Sequence, residues 1–173
     1  WWRMGLTVVT LIVLRWWQKE YERIAWRDML QMAGAGTLLA LHWVAFYGSI
    51  KVANVSIALT CMAASGIFTA LLEPFAFKKR LDVRELLLGI MALTGIALIF
   101  HFNPKYKIGI ILGLVSVVLV VIFSMFNKNL VNRFSAKTVA LYELGGGWLT
   151  WTLLLPIYVH YIDTPQYTPA AMD

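Results

Sequence analysis

Charge is what this chain has least of. Only 14% of its 173 residues are Asp, Glu, Lys or Arg, where a soluble domain carries about 25%. Acidic residues are the scarcer sign, nine against fifteen basic. There is one cysteine, Cys61, so no disulfide can close within the chain. No phosphate-cradling glycine loop, no His/Cys metal spacing and no placeable Ser–His–Asp set occurs. Those absences argue against a nucleotide-driven pump within this stretch, and no metal or other cofactor is expected. What the chain has in abundance is apolar length: 60% hydrophobic residues and a mean hydropathy of +0.71.

Six stretches reach or approach the roughly 20 apolar residues that a membrane span needs: about 1–16, 29–50, 54–77, 84–102, 107–127 and 138–160. Inside lipid every backbone polar group must be satisfied within its own segment, so these stretches are expected to be helices. The fold class is therefore all-α, a polytopic transmembrane bundle of about six spans. The net charge of +6 does not point to nucleic acid, because the cations sit in the short connections. Arg15, Lys19, Arg23, Arg27, Lys78, Lys79, Arg80, Arg84, Lys128, Arg133 and Lys137 fall on one side. Arg3, Lys51, Lys105 and Lys107 fall on the other. The positive-inside rule puts the larger set in the cytoplasm. The polar tail 161–173 is then expected outside the cytoplasm, and the membrane is expected to be a bacterial inner membrane.

The stretch Asn54–Phe77 carries a polar stripe: Cys61, Ser65, Thr69 and Glu73 recur every four residues. Four residues turn a helix by one turn plus about 40°, so the stripe stays on one broad face. Hydroxyls can return to their own backbone, but an intramembrane Glu is costly and points to a cavity or to protein. Only KVAN separates this stretch from the previous one, which forces an antiparallel hairpin. On that earlier helix His42, Phe46 and Ser49 share one side, Gly34 and Gly36 permit close helix approach, and Asp28 is a plausible N-cap. Gly109 and Gly113 form a GxxxG pair, a weak packing signal. The last stretch carries Glu143 followed by Gly145, Gly146 and Gly147, a combination that points to close approach or local unwinding. Trp16, Trp17 and Trp26 suit the aromatic belt at the membrane surface.

The run ALHWVAFYGSIKVANVSIALTCMAASGIFTALLEPFAFKKRLDVRELLLGIMALTGIALIF, residues 40–100, resembles the drug/metabolite transporter superfamily and its EamA-type members. It has a mid-membrane His-Trp, a short outer turn, a small-residue helix, a basic turn and a helix with GIAL. The later GIILGLVSVVLVVIFSMFNKNLVNRFSAKTVALYELGGG looks like the opening of a second such unit. The resemblance implies ten helices in two inverted five-helix repeats. Residues 1–102 would be a first repeat lacking its first helix, and 107–160 the first two helices of the second. The family's Gly-Glu before the basic turn is replaced here by Ala76-Phe77, so the role of that Glu is not carried to Glu73. Setting Arg3-Met4-Gly5 against Glu143-Leu144-Gly145 gives a weak internal match, with Arg3 toward the outer face and Glu143 toward the inner.

The expected function is a secondary transporter, an exporter of small organic metabolites such as amino acids, working by alternating access. His42, Phe46, Ser65, Thr69, Glu73 and Glu143 are the candidate substrate-lining residues. The expected partners are the small-molecule substrate and the lipid bilayer, with a second copy of the chain left open. Two other readings compete. One is an intramembrane enzyme on lipid-linked substrates, which would need Glu73, Glu143 and His42 gathered together. The other is a non-transporting scaffold, which would have no cavity.

Overall fold

The computed structural model describes residues 2–19, 22–77, 83–100 and 106–162. The described residues form seven helices and no strand. They are α1 (Trp2–Gln18), α2 (Trp26–Val52), α3 (Val55–Ala63), α4 (Ser65–Phe77), α5 (Val83–Phe100), α6 (Lys107–Val131) and α7 (Ala136–Ile162). Where described, each of the six apolar stretches is helical, and α3 and α4 together fill the third, hitched at Ala64. By length and composition, α2, the α3–α4 pair and α6 can each cross a membrane. The chain is an all-α polytopic bundle. Residues 163–173, and with them nearly all of the tail expected outside the cytoplasm, lie outside the described residues.

The bundle is inverted relative to a soluble protein. Large apolar side chains such as Leu88, Met91, Leu98, Ile111, Val115 and Leu153 point outward, while the buried positions of α2 are mostly small: Ala35, Gly36, Ala40, Ala45 and Ser49. Lipid is as apolar as leucine, so burying leucine between helices gains little in a membrane. Close backbone contact and interhelical hydrogen bonds do the holding instead.

Helix α2 is the spine, with α6 on one side and α7 on another. Its contact with α7 depends on missing side chains. A Cβ placed on Gly36 would overlap the Glu143 carbonyl, and one on Gly146 would overlap the backbone of Ala33. Gly34 faces open space, so of the two expected approach points on α2 only Gly36 is used. α7 runs through Gly145–Gly147 as continuous helix and not as an unwound segment; Gly146 and Gly147 are the points of close approach, while Gly145 faces open space. The Gly109–Gly113 pair of α6 lies against Ala53, Cys61 and Ser49 at the α2–α3 hairpin. There Ser49 donates to the Gly109 carbonyl at 2.7 Å.

The two ends of the bundle differ chemically. At one end Arg133 pairs with Asp28 at 2.9 Å and Lys128 with Glu73 at 3.4 Å. Beside them Arg15 donates to Thr138 at 3.1 Å and Lys137 to Gln18 at 2.6 Å. These contacts join the C-terminal ends of α1, α4 and α6 to the N-terminal ends of α2 and α7, which is the alternation the charge pattern requires. The expected capping role of Asp28 is corrected here. Helix α2 starts three residues earlier, after Ala25, and Asp28 sits inside its first turn facing Arg133. At the opposite end Asn54 caps α3 by accepting from the Ile57 amide at 2.9 Å.

Candidate functional site

The six residues singled out in the sequence fall on separate interfaces. His42 is buried on the α6 side of α2, with Nδ1 2.9 Å from both the carbonyl oxygen and the hydroxyl of Ser116. Either tautomer therefore finds a partner: Nδ1–H donates to the carbonyl, or a bare Nδ1 accepts from the hydroxyl. Phe46, one turn on, stacks against the imidazole with centroids 6.0 Å apart. Glu73 reaches Lys128 of α6, whose ammonium also sits over the Phe77 ring. Ser65 and Thr69 line a cleft of about 360 Å³ between α4 and α5, together with Gly66, Glu85, Leu88 and Gly89.

The four-residue stripe thus divides. Cys61 and Glu73 turn to α6, with the Cys61 thiol 3.9 Å from the Ile110 carbonyl, while Ser65 and Thr69 turn to the α5 cleft. The helix breaks at Ala64, between Cys61 and Ser65, so the single face expected of one continuous helix does not form.

Glu143 stands apart. It is buried in α7 at 6% exposure, and its Oε1 has no hydrogen-bond partner among the described residues. Its neighbours on the same face pack against α2: Val139 joins Met32 and Ala35, Gly146 meets Ala33, and the Thr150 hydroxyl lies 2.9 Å from that of Thr37. An unpartnered carboxyl oxygen in a membrane bundle is expensive.

On the outer side of this crossing lies an open groove of about 340 Å³ between α1, α2 and α7. Arg3, Thr7, Trp43, Tyr47, Leu144 and Trp151 are among its walls. None of the six expected residues lines it, although Leu144 is the residue after Glu143. The signal was present in the sequence as four-residue spacings, Leu39–Trp43–Tyr47 on α2 and Arg3–Thr7 on α1. It was masked by the neighbouring His42–Phe46 pair, which has the same spacing and a more conspicuous residue.

A family model described as the EamA-like transporter family matches residues 1–101. The chain belongs to that family. A curated relative, an uncharacterized transporter named YxxF from Bacillus subtilis (strain 168), is 26% identical over 149 residues. That match covers 83% of this chain and 47% of the relative, so the chain spans about half of the relative's length. No solved structure matches.

As an EamA-family chain it is an integral membrane protein, and its family and relative point to transport, not catalysis. The competing enzyme reading required Glu73, Glu143 and His42 in one place, and they lie on three different interfaces. Two clefts are open among the described residues, whereas the scaffold reading turns on whether the full-length protein has a cavity. Among the described residues no group of three or more His, Cys, Asp or Glu is arranged to hold a metal.

Proposed function

We propose that the full-length protein is a secondary transporter that exports small organic metabolites, amino acids among them, across a bacterial inner membrane. Residues 1–102 act as part of a first repeat and 107–160 as the start of a second, so that α2 meets α6 and α7 across the repeat boundary. Alternating access is the rocking of one repeat on the other. The α2–α7 surface suits such motion because glycines and alanines present few knobs to unlock.

Glu143 is the residue on which this reading rests. A buried carboxyl with an unpartnered oxygen, at the crossing of two helices and next to an open groove, is a group that can trade a proton or a substrate contact as the crossing shifts. Ser65 and Thr69 line the second cleft, while His42, Phe46 and Glu73 hold the walls in place.

The test is counterflow of radiolabelled metabolites in proteoliposomes of the full-length protein. Substrate-dependent accumulation is expected, together with loss of its dependence on a pH gradient in Glu143→Gln. No counterflow of any metabolite in a broad panel, from monodisperse reconstituted protein, would remove the transport reading.

A further inference from the structure

The groove between α1, α2 and α7 has a chemistry that transport in general does not require. Arg3 is the one charged residue among its walls. Among the described residues no carboxylate forms an ion pair with it. Arg3 is exposed in the first turn of α1, so its guanidinium stays solvated at the mouth of the groove and is open to an entering anion. Opposite stands an aromatic platform: Trp43 and Tyr47 stack at 25° with centroids 5.6 Å apart, and Trp151 closes the α7 side. Leu39, Met4 and Leu144 complete an otherwise apolar wall. The space, about 340 Å³, lies in the range of small-molecule sites.

We propose that this groove recognises an amphiphilic organic anion, with its carboxylate on Arg3 and a flat apolar body against the Trp43–Tyr47 pair. Arginine presents a planar fork that matches a carboxylate bidentately, so it gives direction as well as charge. The aromatic faces bind a flat body by stacking, and their negative quadrupoles favour a ring over a second anionic group. An organic cation would meet Arg3 as a like charge. The inference names the substrate class of the transport reading, and it depends on that reading only in calling the anion a substrate.

The experiment measures equilibrium binding of radiolabelled indole-3-acetate and tryptamine to the purified full-length protein. The two probes share a ring and carry opposite charges. Saturable indole-3-acetate binding is expected, tighter than tryptamine by about tenfold or more, the scale of a hydrogen bond to a charged group. Arg3→Gln is expected to lose that tenfold and Arg3→Lys to recover part of it. Leu39→Trp, which fills the groove while keeping Arg3, is expected to block binding and serves should Arg3→Gln fail to fold. Equal affinity for the two probes, or unchanged binding in a folded Arg3→Gln protein, would overturn the proposal. So would loss of indole-3-acetate binding in phosphatidylglycerol nanodiscs but not in phosphatidylcholine ones, which would give the groove to a lipid headgroup. Binding without counterflow of any metabolite leaves the groove standing and removes transport. Counterflow of other metabolites without indole-3-acetate binding does the reverse.

Discussion

At the scale of single residues, His42 and Glu143 show how differently two buried ionisable groups can be treated. Both sit in α2 or α7 at under a tenth exposed. The imidazole is satisfied by Ser116 across the α2–α6 interface, whereas one oxygen of the carboxyl is left without a partner. Interhelical hydrogen bonds in membranes contribute about 0.6–2 kcal/mol. A double-mutant cycle of His42→Phe and Ser116→Ala, read by unfolding in detergent, should return a coupling in that range if the hydroxyl is the partner; a coupling of zero would assign the imidazole to the Ser116 carbonyl, which the alanine variant keeps. Glu143→Gln should unfold at the same denaturant concentration as the parent or a higher one, because an amide of the same shape never has to carry charge in a site that does not solvate it. Marked destabilisation would show that the carboxylate has a structural partner after all. Neither outcome was legible in the sequence, because a His and a Glu in apolar runs look alike until their neighbours across the bundle are known.

At the scale of helices, the glycines sort into those that set a distance and those that do not. Gly36 and Gly34 lie one residue apart on either side of Ala35 and differ only in what faces them. Gly34→Ala should stabilise by up to about 1 kcal/mol, since it gains helix propensity and meets nothing. Gly36→Val should cost at least about 1–3 kcal/mol and force α7 off α2, because a side chain there overlaps the Glu143 backbone. Equal effects at the two positions, measured by thermal unfolding, would contradict the α2–α7 crossing. The Glu73–Lys128 pair is a weaker link. Its side chains are 24% and 52% exposed, so Glu73→Gln should change stability by less than about 1 kcal/mol. The sequence marked both glycines and the whole Gly145–Gly147 triplet, but which glycine faces a helix depends on rotation about the helix axis. The slow drift of the Cys61–Glu73 stripe was legible, but the hitch at Ala64 that divides it was not.

At the scale of the whole molecule, the class and the helix order could be read from hydropathy and charge because lipid leaves the backbone few choices. The placement of α2 at the centre could not. Its stretch is the least hydropathic of the three that qualify as spans by length and composition, and its small-residue faces draw in α6 and α7 from far along the chain. The groove at Arg3 was hidden likewise, since its walls come from three helices that lie apart in the chain, from Arg3 on α1 to Trp151 on α7. Everything proposed about transport depends on these helices threading the membrane in alternating directions, with Asp28, Lys128, Arg133 and Lys137 gathered at one face. Cys61 is the only cysteine in this chain, so Cys61→Ser, with any cysteine in the rest of the full-length protein also replaced by Ser, gives a background for single-cysteine labelling in sealed, oriented membranes. A cysteine at Lys51 and one at Arg133 should react with an impermeant reagent from opposite sides, Arg133 from the cytoplasm. Labelling of both from the same side would contradict the threading, and with it the account of the site.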